Sequence, residues 1–229
     1  MKRIGIIVAG GSGQRMGTQI PKQFLDLNDV PILIRTLNKF ISSSANQIVL
    51  VLPENQFENW FKLKEYLGFD ANVSLVAGGK TRFESVGNAL KCIDTNEEDA
   101  LVSIHDAVRP FVSTQLINDS FEQAHIHGSA VAAIQLKDSI RLVIDEHSSQ
   151  AKDRSKYTLT QTPQTFKLLE LKSAYLAVEN GDLFTDDASV WEHSGKQINL
   201  IAGEELNFKI TTPEDLRLAE SLSRFNPDV

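Results

Sequence analysis

The sequence predicts an α/β protein with a Rossmann-like, mostly parallel sheet. Apolar runs of four or five residues alternate with amphipathic segments, which is the pattern of strands connected by helices. A glycine-rich loop follows the first of these runs directly, at the sheet edge where open α/β folds bind their ligands. The predicted strands cover residues 4–8, 48–52, 73–76, 101–104 and 130–134.

Capping residues predict where several helices begin and end. Ser113 is suited to the N-cap of a helix that Gly128 would close. Thr212, followed by Pro213 and two acidic residues, has the composition of a helix N-terminus. Another helix is expected to begin within residues 185–187.

Composition limits the class of protein. The chain has 229 residues, 41% of them hydrophobic, so we expect one domain over residues 1–229. A net charge of −7 disfavours nucleic acid as a partner, and a phosphate-binding protein of this charge must concentrate its cations locally. No secretory signal or bilayer-length apolar stretch is evident, which predicts a cytoplasmic protein without a membrane partner. The single Cys92 excludes a disulfide framework and is expected in the core.

Residues 137–158 break the alternation of strands and helices. The middle of this segment is polar and has neither a helical nor a strand period, whereas apolar residues stand on both sides of it, at 140–144 and at Tyr157 and Leu159. This pattern predicts a hairpin arm inserted in the domain. Because an isolated hairpin is unstable in water, we expect the arm to pack on a second subunit in a homodimer.

The glycine loop is a predicted phosphate site. It does not match the dinucleotide fingerprint, because Met16 replaces the third glycine, and it does not match the Walker motif, because Thr18 follows Gly17. Glycines allow backbone N–H groups to approach an anion, while Arg15 adds a fork of donors and Lys22 a point charge.

Two further motifs follow predicted strands. Gly78 and Gly79 form a turn that opens a helix and can hold a ribose, base or phosphate, although a plain helix start fits as well. Asp106 and Arg109 follow the strand at 101–104, where a carboxylate facing phosphate loops can hold Mg²⁺. The alternative for this pair is an ion pair within a turn. Lys209, on a predicted short strand, has no role that local sequence defines.

These residues together resemble the 2-C-methyl-D-erythritol 4-phosphate cytidylyltransferase family, in order along nearly the whole chain. The matching segments are 9–16 (AGGSGQRM), 21–24 (PKQF), 78–79 (GG) with Arg82 and 85–86 (SV), 105–110 (HDAVRP), 162–164 (TPQ), 185–189 (TDDAS) and 207–211 (NFKIT).

The resemblance implies a GT-A-like nucleotidyltransferase that transfers CMP from CTP to methylerythritol phosphate in the non-mevalonate isoprenoid pathway. It further implies a divalent cation such as Mg²⁺ near Asp106, and a homodimer whose arm helps to complete the partner's site. Arg15 and Lys22 would stabilise the transition state. The sugar-alcohol phosphate would be bound or positioned by Asp106, Arg109, Ser139, Arg154 and Lys209. The CTP pocket would be lined by Ala9, Gly10, Gly11, Gly13, Gly79, Ser85 and Asp106.

Two alternatives stay open. Gly10, in place of the more frequent alanine, is shared with the ribitol-5-phosphate cytidylyltransferases, so the loop does not define the acceptor. Arg154 stands eight residues before Thr162, which matches the spacing of the arm arginine that recognises methylerythritol phosphate. A CTP-binding regulator without catalysis is the third possibility, and the presence of Arg15, Lys22 and Asp106 argues against it.

Overall fold

A computed structural model describes residues 1–10, 20–95 and 97–225. Its strands are β1 (Arg3–Val8), β2 (Asp26–Leu27), β3 (Val30–Pro31), β4 (Gln47–Leu52), β5 (Val73–Ala77), β6 (Leu101–Asp106), β7 (Ser129–Gln135), β8 (Ile140–Val143), β9 (Ser149–Lys152), β10 (Thr158–Lys167) and β11 (Leu200–Ala202). Its helices are α1 (Ile32–Ile41), α2 (Phe57–Tyr66), α3 (Arg82–Cys92), α4 (Thr114–His127), α5 (Leu168–Leu176), α6 (Asp187–His193) and α7 (Pro213–Phe225).

A mostly parallel central sheet organises these elements. Among the described residues, seven strands form it in the order β11-β7-β10-β6-β1-β4-β5. Only β10 runs antiparallel to its neighbours within this set. All five predicted strands are confirmed, and the predicted α/β class with them. In the register of β1 with β6, Val8 lies opposite Asp106, so these strands end at the same sheet edge.

Both faces of the sheet are covered by helices. Ile4 and Ile6 pack with residues of α3, α5 and α6, whereas Ile7 packs on the other face with residues of α1, α2 and α4. Successive side chains of a strand point to opposite faces, so a strand that is buried on both faces has a continuous apolar sequence. Full burial of such a side chain contributes about 1.5–3 kcal/mol, so the core holds the β1 and β6 ends in place.

The predicted capping residues are confirmed. The Ser113 hydroxyl accepts the backbone N–H of Leu116, and Gly128 closes α4 with a φ of 85°. Thr212 accepts the N–H of Asp215, and Asp186 caps α6. The prediction for Cys92 is wrong: it is the last residue of α3 and is exposed, because its side chain falls on the outer face of that helix end. No helix of the described chain is long and apolar enough to cross a membrane.

The hairpin within residues 137–158 is present, but its second strand is not the one expected. β8 pairs antiparallel with β9, which lies in the segment we predicted to have no period, and the pair forms a sheet of its own. Leu159 instead pairs with Ile134 of the central sheet. The polar residues of β9 can form a strand because both faces of this hairpin are exposed. The role of the β8–β9 hairpin in a dimer stays a prediction.

Candidate active site

A cavity of about 340 Å³ opens at the carboxyl ends of β1 and β6; we call it the main cleft. Its lining contains a cluster of cations, although the whole chain is acidic. This agrees with the expectation that a phosphate-binding protein of negative charge concentrates its cations. The residues that line it are Val8, Ala9, Gly10, Lys22, Gln23, Lys80, Thr81, Arg82, Ser85, Asp106, Val108 and Lys209.

The Asp106 carboxylate is the electrostatic centre of this cleft. Within the described chain, three cationic groups lie within 4 Å of it. Lys209 Nζ is 3.0 Å from Oδ2, Arg109 Nε is 3.3 Å from Oδ2, and Arg82 Nε is 3.6 Å from Oδ1. The Asp106–Arg109 ion pair expected as the alternative is therefore present, and the same carboxylate also lines the cleft.

These cations decide the charge of Asp106. Burial by itself raises the pKa of this carboxyl, but the charges of Arg82, Lys209 and Arg109 outweigh burial and hold the pKa well below its ordinary value. Asp106 is therefore ionised throughout the physiological pH range.

A smaller cavity of about 160 Å³, the side cleft, lies against the same charges. Arg82, Asp106 and Lys209 line both cavities, and Arg109 and Thr162 line only the side cleft. The Thr162 hydroxyl accepts the backbone N–H of Asp106 at 3.1 Å, which ties β10 to the end of β6. Two adjoining spaces thus share one carboxylate and two cations.

The turn between β5 and α3 supplies another wall of the main cleft. Thr81 caps α3 by accepting the N–H of Glu84, and the Glu84 carboxylate accepts the N–H of Lys80 at 2.6 Å. The Ser85 hydroxyl accepts the N–H of Gly79 at 3.0 Å and donates to the carbonyl of Thr81. This reciprocal bonding fixes the turn before any ligand binds.

Gly79→Ala is expected to raise KM for the ligand of the main cleft about tenfold, because overpacking at a fixed turn costs about 1–3 kcal/mol. A Cβ at Gly79 would stand 2.2 Å from Glu84 Cβ and 3.2 Å from its carbonyl carbon, so the backbone must shift. Gly87→Ala in α3 is the matched control, since its Cβ would meet Tyr175 at an ordinary 3.7 Å. Equal ligand affinities in the two variants would contradict a preformed turn.

His105 lies beneath the cleft and does not line it. Its ring is fully buried beside Phe40, and Nε2 lies 3.2 Å from the carbonyl oxygen of Arg109. A carbonyl only accepts, so Nε2 carries the proton, and Nδ1 has no partner within the described residues. Burial lowers the pKa of His105 to about 4. A neutral imidazole therefore supports the Arg109 backbone.

This histidine predicts a pH dependence of stability. In the unfolded chain His105 has a pKa of about 6.5, whereas in the folded chain its pKa is about 4. Between these pH values only the unfolded chain binds the proton, so acid favours unfolding. The free energy of unfolding should fall by about 3 kcal/mol over this window, at about 1.4 kcal/mol for each pKa unit. Chemical denaturation of His105→Gln should lack this fall, while His127→Asn, on the exposed face of α4, should keep it. A steep fall retained in His105→Gln would refute the assignment.

Comparisons with known proteins agree with this geometry. The family model IspD, described as 2-C-methyl-D-erythritol 4-phosphate cytidylyltransferase, matches residues 4–224. A protein of that name from Phocaeicola vulgatus is 42% identical over 97% of this chain and 100% of its own length. Its counterpart from Bacteroides fragilis is 43% identical with the same coverage. The chain belongs to the IspD family.

Solved structures of IspD-family enzymes share the fold. The 4-diphosphocytidyl-2C-methyl-D-erythritol synthase of Anaerococcus prevotii aligns with a TM-score of 0.83 at 28% identity, covering 97% of this chain and 96% of its own. The 2-C-methyl-D-erythritol 4-phosphate cytidylyltransferase of Thermus thermophilus aligns with a TM-score of 0.78 at 30% identity, covering 98% and 100%.

Most of the predicted IspD site residues meet at the sheet edge. Those that line the main cleft are Ala9, Gly10, Lys22, Ser85, Asp106 and Lys209. Lys22 is buried, and its amine donates to the carbonyl of Ile210 at 3.0 Å. Arg109 lines the side cleft, and Gly79 supports Ser85. Gly11, Gly13 and Arg15 lie outside the described residues.

Two predicted residues are not brought to either cleft. Ser139 and Arg154 are exposed beside the hairpin, where the Arg154 guanidinium donates to the carbonyl of Lys137. The segment of Lys209 is not a strand, contrary to our prediction, because within the described residues its backbone hydrogen bond from Ile210 N–H to Val108 O does not extend into a ladder.

The sequence prediction omitted Arg82 from the site. Its guanidinium bridges Asp106 and Asp187, two carboxylates far from it in sequence. The only signal in the sequence was its position in the matched motif after Gly79. The sequence prediction likewise gives Thr162 no role beyond its place in a matched motif.

Proposed function

We propose that this IspD-family chain transfers CMP from CTP to 2-C-methyl-D-erythritol 4-phosphate and releases pyrophosphate. The observation that carries the proposal is the pair of adjoining clefts that share Asp106, Arg82 and Lys209. A transfer between two anionic substrates needs two anion sites in contact, with cations at their junction. Family membership and the names of the relatives favour methylerythritol phosphate over ribitol 5-phosphate as the acceptor.

We place the triphosphate in the main cleft and the acceptor in the side cleft. The first position is lined by the Gly10 backbone and by the cationic side chains of Lys22 and Lys80, which suits a triphosphate. Arg109 and Thr162 offer a guanidinium and a hydroxyl at the second position, as recognition of a sugar-alcohol phosphate requires.

The reaction then depends on charge neutralisation. A phosphate monoester has a second pKa of about 6, so it is mainly dianionic at neutral pH and needs no general base. One of its oxygens bonds to the α-phosphorus of CTP while the bond from that phosphorus to the bridging oxygen of the β-phosphate breaks. Lys22 and Lys209 line the space where this charge moves, and Arg15 would act with them.

Asp106 fits a magnesium ion that takes most of its ligands from phosphates and water. Within the described part of the chain, Oδ2 lies beside Lys209 and Arg109, whereas the nearest cation to Oδ1 is Arg82 at 3.6 Å, beyond hydrogen-bond range. One carboxylate oxygen is thus left for a hard cation. Mg²⁺ would there offset phosphate charge, and Asp106 would fix its position.

We further propose a homodimer in which the hairpin of one subunit serves the site of the other. Ser139 and Arg154 line neither cleft of their own chain, and the hairpin exposes Leu142 and Val143. Such apolar residues on a two-stranded sheet need a covering surface. The cytoplasmic location predicted from the sequence stays a prediction.

Complementation between inactive variants tests the exchange of arms. Arg154→Gln and Lys209→Met, each inactive alone, should regain activity when unfolded and refolded together, because one site of each mixed dimer keeps both residues. Arg141→Gln, in the same hairpin, is the control for Arg154 and should stay active. Absence of recovery, or a monomer by sedimentation at micromolar concentration, would contradict the proposal.

The reaction itself is tested by pyrophosphate release from CTP with the purified protein. Methylerythritol phosphate and ribitol 5-phosphate are supplied separately, and the expected result is turnover with the first and a product of the mass of the CDP-alcohol. Turnover with only ribitol 5-phosphate would show that the chain is a ribitol-5-phosphate cytidylyltransferase instead. CTP binding without turnover of either acceptor would favour the non-catalytic regulator.

A further inference from the structure

Arg82 occupies the boundary between the two clefts. It lines both of them, and 24% of its side chain is exposed. Nη2 lies 2.6 Å from Asp187 Oδ2 on the inner side, and Nε lies 3.6 Å from Asp106 Oδ1 on the cleft side. The guanidinium is therefore anchored at one end and presented to both substrate spaces at the other.

The donors of Arg82 are only partly used. A guanidinium carries five N–H donors in a rigid fork. Among the residues that the structure describes, Nη2 bonds to Asp187, and no protein acceptor bonds to Nη1. The Nη1 protons can consequently bond to a phosphate oxygen, the ligand that a guanidinium fork matches best.

A buried pair behind Arg82 sets its orientation. Asp187 is fully buried, and its Oδ1 accepts the Tyr175 hydroxyl at 2.5 Å. The Asp187 backbone N–H donates to Gln164 Oε1 at 3.0 Å. Phe83 stacks on the Tyr175 ring with centroids 4.6 Å apart, so the phenol is also held by packing. These contacts leave Asp187 little freedom to move.

We propose that Arg82 is a further catalytic residue, which bonds to a phosphate oxygen at the junction of CTP and the acceptor, and that Asp187 and Tyr175 are its positioning residues. The inference rests on the proposed cytidylyl transfer. As the acceptor phosphate approaches the α-phosphate, two anions come together, and a cation common to both clefts lowers their repulsion at the point of attack. A guanidinium that rotated freely would not supply this preorganised charge.

Substitutions of Arg82 and of its two positioning residues test this role. Arg82→Lys keeps the cation but cannot reach both Asp187 and a phosphate, so kcat should fall about 100-fold. Asp187→Asn and Tyr175→Phe should each lower kcat about tenfold by releasing the fork. Arg3→Lys is the matched control: Arg3 is similarly buried and pairs with Glu122, but it lies at the opposite end of β1, so kcat should not change.

Combined substitutions separate positioning from folding. If Asp187 acts through Arg82, the double variant Arg82→Lys/Asp187→Asn should be within about threefold of Arg82→Lys alone. Calorimetric titration with CTP should count the same number of sites in each variant, which a merely structural defect would reduce.

A wild-type kcat in Arg82→Lys would overturn the role of Arg82, and additive losses in the double variant would overturn that of Asp187. A loss of CTP sites that accounts for the lower kcat would overturn both roles. Failure of the proposed function is a different result, because the unsubstituted protein would then turn over neither acceptor.

Discussion

Lys209→Met is expected to lower kcat/KM for pyrophosphate release about 10²–10³-fold. Its amine lies 3.0 Å from Asp106 and lines both clefts, so it faces the charge that moves during transfer. Methionine keeps the length and apolar stem of the side chain but removes the cation. Initial rates with each substrate varied in turn should show the loss mainly in kcat and in KM for the acceptor.

A surface lysine provides the control for this prediction. Lys62 pairs with Glu58 at 2.6 Å, and both side chains are exposed, so Lys62→Met removes an equal charge from an ion pair of little consequence. The result that would count against the role of Lys209 is a rate within a few-fold of the control.

Asp106→Asn should produce the second large effect, because it lowers both the catalytic rate and the free energy of unfolding. Catalysis should fall at least 100-fold, because Arg82, Arg109 and Lys209 lose the carboxylate that orients them. The free energy of unfolding should fall by about 3 kcal/mol, because the side chain is only 9% exposed and its cations are left uncompensated. Half-saturation by Mg²⁺ should shift to a higher concentration if this carboxylate holds the ion.

The pH dependence of stability distinguishes this carboxylate from His105. Unfolded aspartate has a pKa of about 3.9, whereas the surrounding cations hold the pKa of folded Asp106 below that value. Its contribution to stability is therefore complete above pH 4 and is lost as the pH falls further. Urea titrations below pH 4 should show this loss in the unsubstituted chain and not in Asp106→Asn. A parallel loss in both proteins would mean that other groups cause it.

Much of the fold is encoded locally. A strand buried on both faces needs apolar residues at every position, so β1, β4 and β6 are evident as runs. β10 is central as well, yet the sequence TLTQTPQTFK predicts no strand, because it is polar and contains Pro163. Its polar side chains are satisfied by distant partners: Thr165 bonds to Ser103 and Ser120. The local sequence of β10 does not show that these distant hydrogen-bond partners exist.

The site residues, like the strands, include some that local sequence predicts and others that depend on distant partners. Ala9, Gly10, Lys22, Ser85 and Asp106 follow strands or open helices, so the topology alone brings them to one edge. Arg82 differs, because its role depends on Asp187, which is 105 positions away and buried at the start of α6. In the proposed dimer, the hairpin residues Ser139 and Arg154 would act in the site of a second copy of the chain, which no local pattern contains.

The surplus of positive charge around Asp106 makes the unliganded site a frustrated part of the fold. Asp106 offsets only part of the repulsion among the like charges at Lys22, Lys80, Arg82 and Lys209, and a bound anion would offset more of it. We therefore expect polyanions to stabilise the folded chain, so its melting temperature should rise with triphosphate, pyrophosphate or sulfate concentration. By the same attraction we expect the product pyrophosphate to leave slowly, so a hydrolase that removes it would free the enzyme as well as draw the reaction forward.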